Sequence, residues 1–213
     1  MRKYAPPFHW IFASATAVLL YIYIKFVSFT VRFVRTGELK WPDLPSSVVA
    51  LWHRDAPSLL IGFAKRRPLR RCIMLVADDP RGDCLALLCR MLGFTVVRRG
   101  NHASAWAVLE DLMPEIERGS AVFITVDGGG PPRVAKSGAL IFAAVASVPL
   151  IALRADCWPA LEEVHKWDAA RNPLPFSRIV VSLSTPRCFE PFTSHSSILG
   201  AREWLQGELD KSL

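Results

Sequence analysis

The chain has 213 residues, of which 51% are hydrophobic, and it carries a formal net charge of +7. This length suits one domain of ordinary size with an appendage and is sufficient to bury a sizeable core. The five cysteines are odd in number and lack metal-ligand spacing, so no disulfide framework and no metal site are expected. The positive charge leaves nucleic acid, an anionic membrane surface, and an acidic substrate or carrier protein as possible partners.

An apolar segment occupies the N-terminal part of the chain. From Phe8 to Ile24 only His9 and a few small hydroxyl side chains interrupt it. A cleaved secretory signal is the main alternative, but Lys25 follows the run where a cleavage site would need small residues. We therefore expect residues 1–36 to form a retained membrane anchor, spanning or shallow, and residues 37–213 to form a globular α/β domain. Basic flanks on both sides predict that this domain faces the cytoplasm at the inner membrane.

Strand and helix patterns alternate after this segment. The predicted strands are Val48–Trp52, Cys72–Ala77, Thr95–Val97, Ala121–Thr125, Leu150–Leu153 and Arg178–Leu183. The predicted helices are Ala56–Ala64, Asp83–Leu92, Ser104–Ile116, Ser137–Ala146 and Ile198–Leu209. The alternation predicts an α/β fold with a mostly parallel central sheet flanked by helices. We interpret the polar, proline-bearing stretch Asp156–Pro175 as an excursion over the sheet edge.

His53 follows the first predicted strand and is the candidate general base, with Arg54 and Asp55 directly after it. Ligands of open α/β sheets bind at the carboxyl ends of the strands, where an imidazole can accept the proton of a substrate hydroxyl. A strand-end histidine is more often structural, because imidazole accepts either role. The catalytic interpretation requires a carboxylate that orients the ring, and Asp55 and Asp83 are the two candidates.

Two charged segments follow. The run Lys65-Arg66-Arg67-Pro68-Leu69-Arg70-Arg71 carries five cations. Near an apolar anchor each contributes about 1 kcal/mol of attraction to anionic lipid, so an anionic membrane surface is the favoured partner. No basic module with interleaved aromatic or glycine residues is present, so no nucleic acid is expected.

The segment Asp78–Asp83 is most simply a turn with Asp83 as helix N-cap, although it would also bring Arg81 and Asp83 to the edge that carries His53.

A glycine-rich loop follows the strand Ala121–Thr125. Asp127 precedes three glycines, Gly128, Gly129 and Gly130, and two prolines. Bare backbone N–H groups of such a loop can hold an anion or a developing oxyanion, and Asp127 is included among the catalytic candidates. Arg133 and Lys136 lie just before a helix, where an anion is favoured. A loose connection is the alternative, and neither a P-loop nor a Rossmann glycine pattern is present.

Together these segments resemble the lysophospholipid acyltransferase-like superfamily, and most closely its bacterial branch long catalogued as a domain of unknown function. The similarity runs from about Ser46 to Thr185. Its blocks are Trp52-His53-Arg54, Arg81-Gly82-Asp83, Thr125-Val126-Asp127-Gly128 with Pro132-Arg133, Lys136-Ser137-Gly138, Lys166-Trp167-Asp168 and Pro175-Phe176-Ser177-Arg178.

The resemblance implies an enzyme without a bound cofactor that moves a fatty acyl chain from acyl carrier protein or coenzyme A to a hydroxyl of a membrane lipid. It implies His53 as general base and Arg133 and Lys136 as anion-binding groups, with Arg54 and Arg81 as further candidates. Ser58 stands where the superfamily's His-x-x-x-x-Asp pattern has its acid, and Gly130 stands where the bacterial branch carries an arginine. A catalytically degenerate lipid-binding protein is therefore the alternative. Lysophospholipid and lipid A-type acceptors both remain open.

Overall fold

The computed structural model describes residues 7–37, 39, 44–66, 71–100 and 105–213. The helices are α1 (Pro7–Thr30), α2 (Ala56–Lys65), α3 (Pro80–Leu92), α4 (Ala105–Glu117), α5 (Gly138–Val145) and α6 (His195–Asp210), with a short 3-10 turn at His53–Asp55. The strands are β1 (Arg32–Gly37), β2 (Ser47–Leu51), β3 (Cys72–Ala77), β4 (Thr95–Arg99), β5 (Ala121–Thr125), β6 (Leu150–Glu162) and β7 (Arg171–Leu183). Residues 67–70 of the basic run and Ser104, the predicted first residue of α4, lie outside the described residues.

The seven strands form one sheet in the order β1-β7-β6-β2-β5-β3-β4. Every neighbouring pair is parallel except β6 and β7, which are antiparallel. Helices cover both faces, as the alternation along β2 demonstrates. Val49 and Leu51 of β2 join a buried cluster with α1, α2 and α3, whereas Val48 and Ala50 join a second cluster with α4, α5 and α6. The predicted fold, a mostly parallel sheet flanked by helices, is confirmed.

The largest departure from the sequence-based prediction concerns Asp156–Pro175. Instead of an excursion, β6 and β7 continue as a 13-residue antiparallel hairpin with a bulge between Trp158 and Ala160. Along this extension Ala155 and Cys157 are buried and Ala160 is partly buried, while the other residues from Asp156 onward are exposed, so the strand lacks the continuous burial of the central strands. Prolines also interrupt the pattern, one of them at the bulge, where a sheet tolerates them. The interpretation as an excursion is therefore wrong.

The start of α3 also differs from the prediction. The N-cap is Asp79, not Asp83, because the Asp79 side chain accepts a hydrogen bond of 2.7 Å from the Gly82 backbone N–H. Pro80 occupies the first helical position, where its missing N–H has no cost. Asp83 consequently lies inside the first turn of α3, and its carboxylate is available for contacts with other elements.

Helix α1 lies along the surface formed by α2 and α3. Near its start His9 Nε2 is 3.1 Å from Asp83 Oδ2, and near its end Lys25 Nζ donates to the Ala64 carbonyl. Lys65 of α2 donates in return to carbonyls in the last turn of α1 and just after it. The opposite side of α1 is apolar and exposed, with Ile11, Phe12, Leu19, Ile22 and Phe29. Within the described part of the chain, His9–Thr30 is the one stretch long and apolar enough to cross a membrane.

Candidate active site

Two strand ends meet at the carboxyl edge of the sheet. Leu51 at the end of β2 is in register with Thr125 at the end of β5, so the residues that follow them emerge side by side. Asp127, which is almost fully buried, connects the two: its Oδ1 accepts from the His53 backbone N–H at 2.9 Å and its Oδ2 accepts from the Arg133 backbone N–H at 3.0 Å. Because both oxygens bind backbone amides, Asp127 fixes the position of His53 relative to the glycine loop.

The His53 imidazole is paired with Asp168, at a distance of 2.7 Å between Nδ1 and Oδ2. The side chain of His53 is 43% exposed and that of Asp168 is 7% exposed, so a buried carboxylate supports an accessible imidazole. A carboxylate accepts a hydrogen bond from Nδ1 only when Nδ1 carries the proton, which in the neutral ring leaves the Nε2 lone pair free. Asp168 Oδ1 is buried and has no hydrogen-bond partner among the described residues, so the carboxylate is committed to the imidazole.

The sequence contained little that could identify Asp168. It lies in the turn of the β6–β7 hairpin, 115 residues from His53, and the only signal was the Lys166-Trp167-Asp168 block of the family resemblance. Asp55 and Asp83, the two carboxylates considered from the sequence, lie elsewhere. Asp83 pairs with His9 and Arg98, and Asp55 Oδ2 accepts from the Ala155 backbone N–H at 3.3 Å.

Trp167 completes a crevice between the imidazole and the glycine loop. Its ring centroid is 5.1 Å from that of His53. On the other side, a Cβ built on Gly130 would lie 3.6 Å from Trp167 Cε3. The indole therefore lies next to both the candidate base and the glycine loop, the two features that the sequence placed at one sheet edge.

The glycine loop offers two backbone donors. Gly129 and Gly130 both adopt positive φ angles, of 77° and 72°, which favour glycine. The Gly130 N–H is engaged, because it donates to the Asp127 carbonyl at 2.9 Å. Among the described residues no acceptor is found for the N–H groups of Gly128 and Gly129. Lys136 Nζ donates to the Gly128 carbonyl at 2.6 Å and adds a positive charge beside these two amides.

An apolar cavity of about 240 Å³ opens beside Gly128 and Lys136. It lies between α4, α5 and the ends of β3 and β5. Its apolar lining includes Leu75, Val108, Leu109, Leu112, Ile124, Ala139 and Phe142. The site thus combines a polar crevice at His53 with an adjoining space that suits a hydrocarbon chain.

The remaining predicted residues lie around this crevice. Burial raises the pKa of Asp55 to about 7, although the hydrogen bond from Ala155 opposes the shift. Arg54 and Arg133 line a second cavity, and Arg133 also pairs with Asp210 at 2.7 Å. Arg81 is exposed on the first turn of α3. Within the described ranges no group of histidine, cysteine and acidic residues could hold a metal ion.

Comparison with known proteins agrees with this architecture. No protein-family model matches the chain. It is 23% identical over 185 residues to an uncharacterized protein of Rickettsia prowazekii (strain Madrid E), covering 81% of this chain and 80% of that protein. Its structure is similar to the crystal structure of the 1-acyl-sn-glycerophosphate (LPA) acyltransferase PlsC from Thermotoga maritima, with a TM-score of 0.50 and 14% identity over 98% of this chain and 81% of the other. The chain therefore has an acyltransferase-like fold.

Proposed function

We propose that this protein is a membrane-associated O-acyltransferase that transfers a fatty acyl chain from a thioester to a hydroxyl of a lipid acceptor. The observation that carries the proposal is the His53–Asp168 pair, which lies beside a glycine loop with two unengaged amides. The structural likeness to a lysophosphatidate acyltransferase supports the reaction class. The site is an acyl-transfer site assembled from three separate segments of the chain.

In the proposed reaction His53 acts as general base. Nε2 accepts the proton of the acceptor hydroxyl while the hydroxyl oxygen attacks the thioester carbonyl carbon. Asp168 stabilises the imidazolium ion without taking its proton. When the tetrahedral intermediate collapses, the C–S bond breaks, the thiolate takes the proton from Nε2, and an ester and a free thiol leave.

The amides of Gly128 and Gly129 are the proposed oxyanion donors. Both are free to donate, and Lys136 contributes a positive charge nearby. Removal of one well-placed donor of this kind typically costs about 2.7–4 kcal/mol of transition-state stabilisation. Asp127 contributes indirectly, because it sets the position of His53 relative to these amides.

The acyl chain and the lipid acceptor require apolar surroundings. The cavity beside Gly128 suits the acyl chain of an acyl carrier protein or coenzyme A thioester. The exposed apolar side of α1 suits the inner membrane, and the contacts of α1 with α2 and α3 along its length favour a helix that lies in the bilayer interface over one that spans it. A lysophospholipid or a lipid A-type precursor is the proposed acceptor. Basic side chains outside the site would attract anionic lipid to the surface of the protein.

A direct assay tests the proposal. The purified full chain is reconstituted in phospholipid vesicles and supplied with an acyl thioester and lysophospholipid, and the acylated product is measured by mass spectrometry. We expect turnover in the parent chain and in His195→Ala, which changes an exposed histidine of α6, but not in His53→Ala. Turnover by His53→Ala at the parent rate would refute the mechanism. Lipid profiling of cells with and without the protein then identifies the acceptor.

A catalytically degenerate lipid-binding protein is the second candidate. Two observations favour it: glycine occupies position 130, where the related branch carries arginine, and Ser58 is only 2% exposed within α2. Ser58 therefore belongs to the core and does not replace the missing acid. Such a protein would bind lysolipid but leave the thioester unconsumed, which the same assay detects.

A further inference from the structure

A second cavity, of about 230 Å³, lies next to the proposed active site and does not include His53. It is bounded by the 3-10 turn, the end of the glycine loop, the hairpin strands β6 and β7, and residues 209–213. Four arginines and a lysine line it, namely Arg54, Arg133, Arg154, Arg171 and Lys211. Three carboxylates also line it, namely Asp55, Asp156 and Asp210. Among these side chains the cations outnumber the carboxylates by two.

Three of these cations already have acidic partners. Arg133 pairs with Asp210 at 2.7 Å. Arg171 contacts Asp156 and lies 2.9 Å from Glu162. Lys211 pairs with a glutamate of α6. Local ion pairs of this kind neutralise part of the lining and hold it in place.

The two remaining arginines form no ion pair within the described residues, although Arg54 is adjacent to the Asp55 carboxyl. Arg54 forms no hydrogen bond or ion pair with any residue that the structure describes. Arg154 donates from one Nη to Ser182 Oγ at 2.9 Å, but its Nε is buried and has no acceptor in the described ranges. A buried guanidinium N–H without an acceptor is costly, so an acceptor from outside the chain, either water or a ligand, would stabilise this arrangement.

The carboxylates that line the cavity should repel a bound anion only weakly. Asp156 and Asp210 are already engaged by Arg171 and Arg133. Asp55 is buried, and burial raises its pKa to about 7 despite the positive charge of Arg54. Near neutral pH a substantial fraction of this carboxyl is protonated, which increases the positive excess of the lining.

We propose that this cavity binds a phosphate group between Arg54 and Arg154. A guanidinium presents N–H donors in a planar fork that matches phosphate oxygens in pairs, and the tetrahedral oxygens can meet donors from several walls at once. The site adjoins the proposed active site, because Arg54 follows His53 directly and Asp127 binds the backbone amides of both His53 and Arg133. The proposal goes beyond acyl transfer and does not depend on it. The phosphate belongs either to a substrate ester or to free phosphate.

Binding measurements on the full chain in non-ionic detergent test the proposal. Inorganic phosphate, glycerol 3-phosphate and coenzyme A are titrated separately by isothermal calorimetry. We expect saturable binding of at least one of them. Tightest binding of glycerol 3-phosphate identifies a lipid headgroup, tightest binding of coenzyme A identifies the acyl donor, and equal binding of all three identifies free phosphate.

Matched variants assign the binding to the cavity. Arg54→Gln combined with Arg154→Gln should weaken binding by at least about tenfold, because charge-assisted hydrogen bonds to the phosphate are lost. Arg202→Gln, which removes an exposed arginine of α6, should bind like the parent. Arg154→Lys is the second variant, for use if the double variant does not fold. It keeps the positive charge of the side chain and removes Nε, and it should also weaken binding. Absence of saturable binding, or parent-like binding by these cavity variants, would overturn the proposal, whatever the outcome of the acyl-transfer assay.

Discussion

Within the part of the chain that the structure describes, two histidine–aspartate pairs differ in their surroundings. In the first, His53 Nδ1 is 2.7 Å from Asp168, whose other oxygen has no partner among the described residues. In the second, His9 Nε2 is 3.1 Å from Asp83, which also accepts a hydrogen bond of 2.8 Å from Arg98. The two aspartates are similarly buried, but only one of them is shared with an arginine.

This difference separates a candidate base from a structural contact. Asp83 is shared between His9 and Arg98, and its pair with His9 serves to hold α1 against α3. Asp168 instead orients a single imidazole that is open to a substrate and lies beside a glycine loop. A histidine–aspartate distance is therefore insufficient evidence for catalysis, and the other contacts of the carboxylate decide its role.

The sharpest test replaces the two histidines in turn. His53→Ala should reduce acyl transfer by roughly 10²–10⁴-fold, because a general base is lost from the reacting centre. His9→Ala should leave the rate within a few-fold of the parent, since His9 contacts Asp83 on the α1 side of the fold. Initial rates with saturating thioester measure both. Equal losses of acyl-transfer rate in the two variants would show that the two histidine–aspartate pairs do not differ in catalytic role.

The next test addresses the aspartate of the first pair. Asp168→Asn should lower kcat by roughly 10²-fold, since an amide can present its oxygen or its NH₂ to Nδ1 and no longer stabilises the imidazolium. The KM for the acceptor should change little, because Asp168 is buried behind the imidazole. Steady-state kinetics separate the two parameters, and an unchanged kcat would show that His53 acts without this carboxylate.

Asp55 provides a third carboxylate for comparison, because it is two residues from His53 yet binds the Ala155 amide. Its pKa is raised from 3.8 to about 7 by burial, so the folded chain binds a proton more tightly than the unfolded chain. The free energy of unfolding should therefore fall by a few kcal/mol as pH rises from about 4 to about 7, and then level off.

Asp55→Asn should remove this contribution to the pH dependence of stability, measured by urea unfolding at a series of pH values in detergent. Acyl transfer by Asp55→Asn should remain close to the parent rate. A loss of kcat in Asp55→Asn as large as that in Asp168→Asn would mean that Asp55 is a functional partner of the base.

The smallest expected effect concerns the second pair. Asp83→Asn should lower the free energy of unfolding by about 1–3 kcal/mol, because Arg98 and His9 lose a buried charged partner. Acyl transfer by the remaining folded protein should be close to that of the parent. Asp210→Asn is the control, since its ion pair with Arg133 is exposed and should contribute less than about 1 kcal/mol.

Several features followed from local sequence. Apolar periodicity gave the helices and the buried central strands, and their alternation gave the parallel sheet. The loop Gly128–Gly130 was identifiable because three glycines at a strand end have no packing purpose, and His53 because it ends the neighbouring strand at the same sheet edge. These signals are short-range, since each depends on residues within a few positions of one another.

Tertiary structure decided what those signals could not. The sequence offered Asp55 and Asp83 as partners for His53, whereas the fold supplies Asp168 from a hairpin turn 115 residues away. The same hairpin was misjudged because few residues of its extended half are buried and prolines interrupt both strands. A contact between two polar residues that are far apart in the sequence produces no periodic pattern in it. Its geometry is set by the packing of every element between the two residues, and only the folded chain determines it.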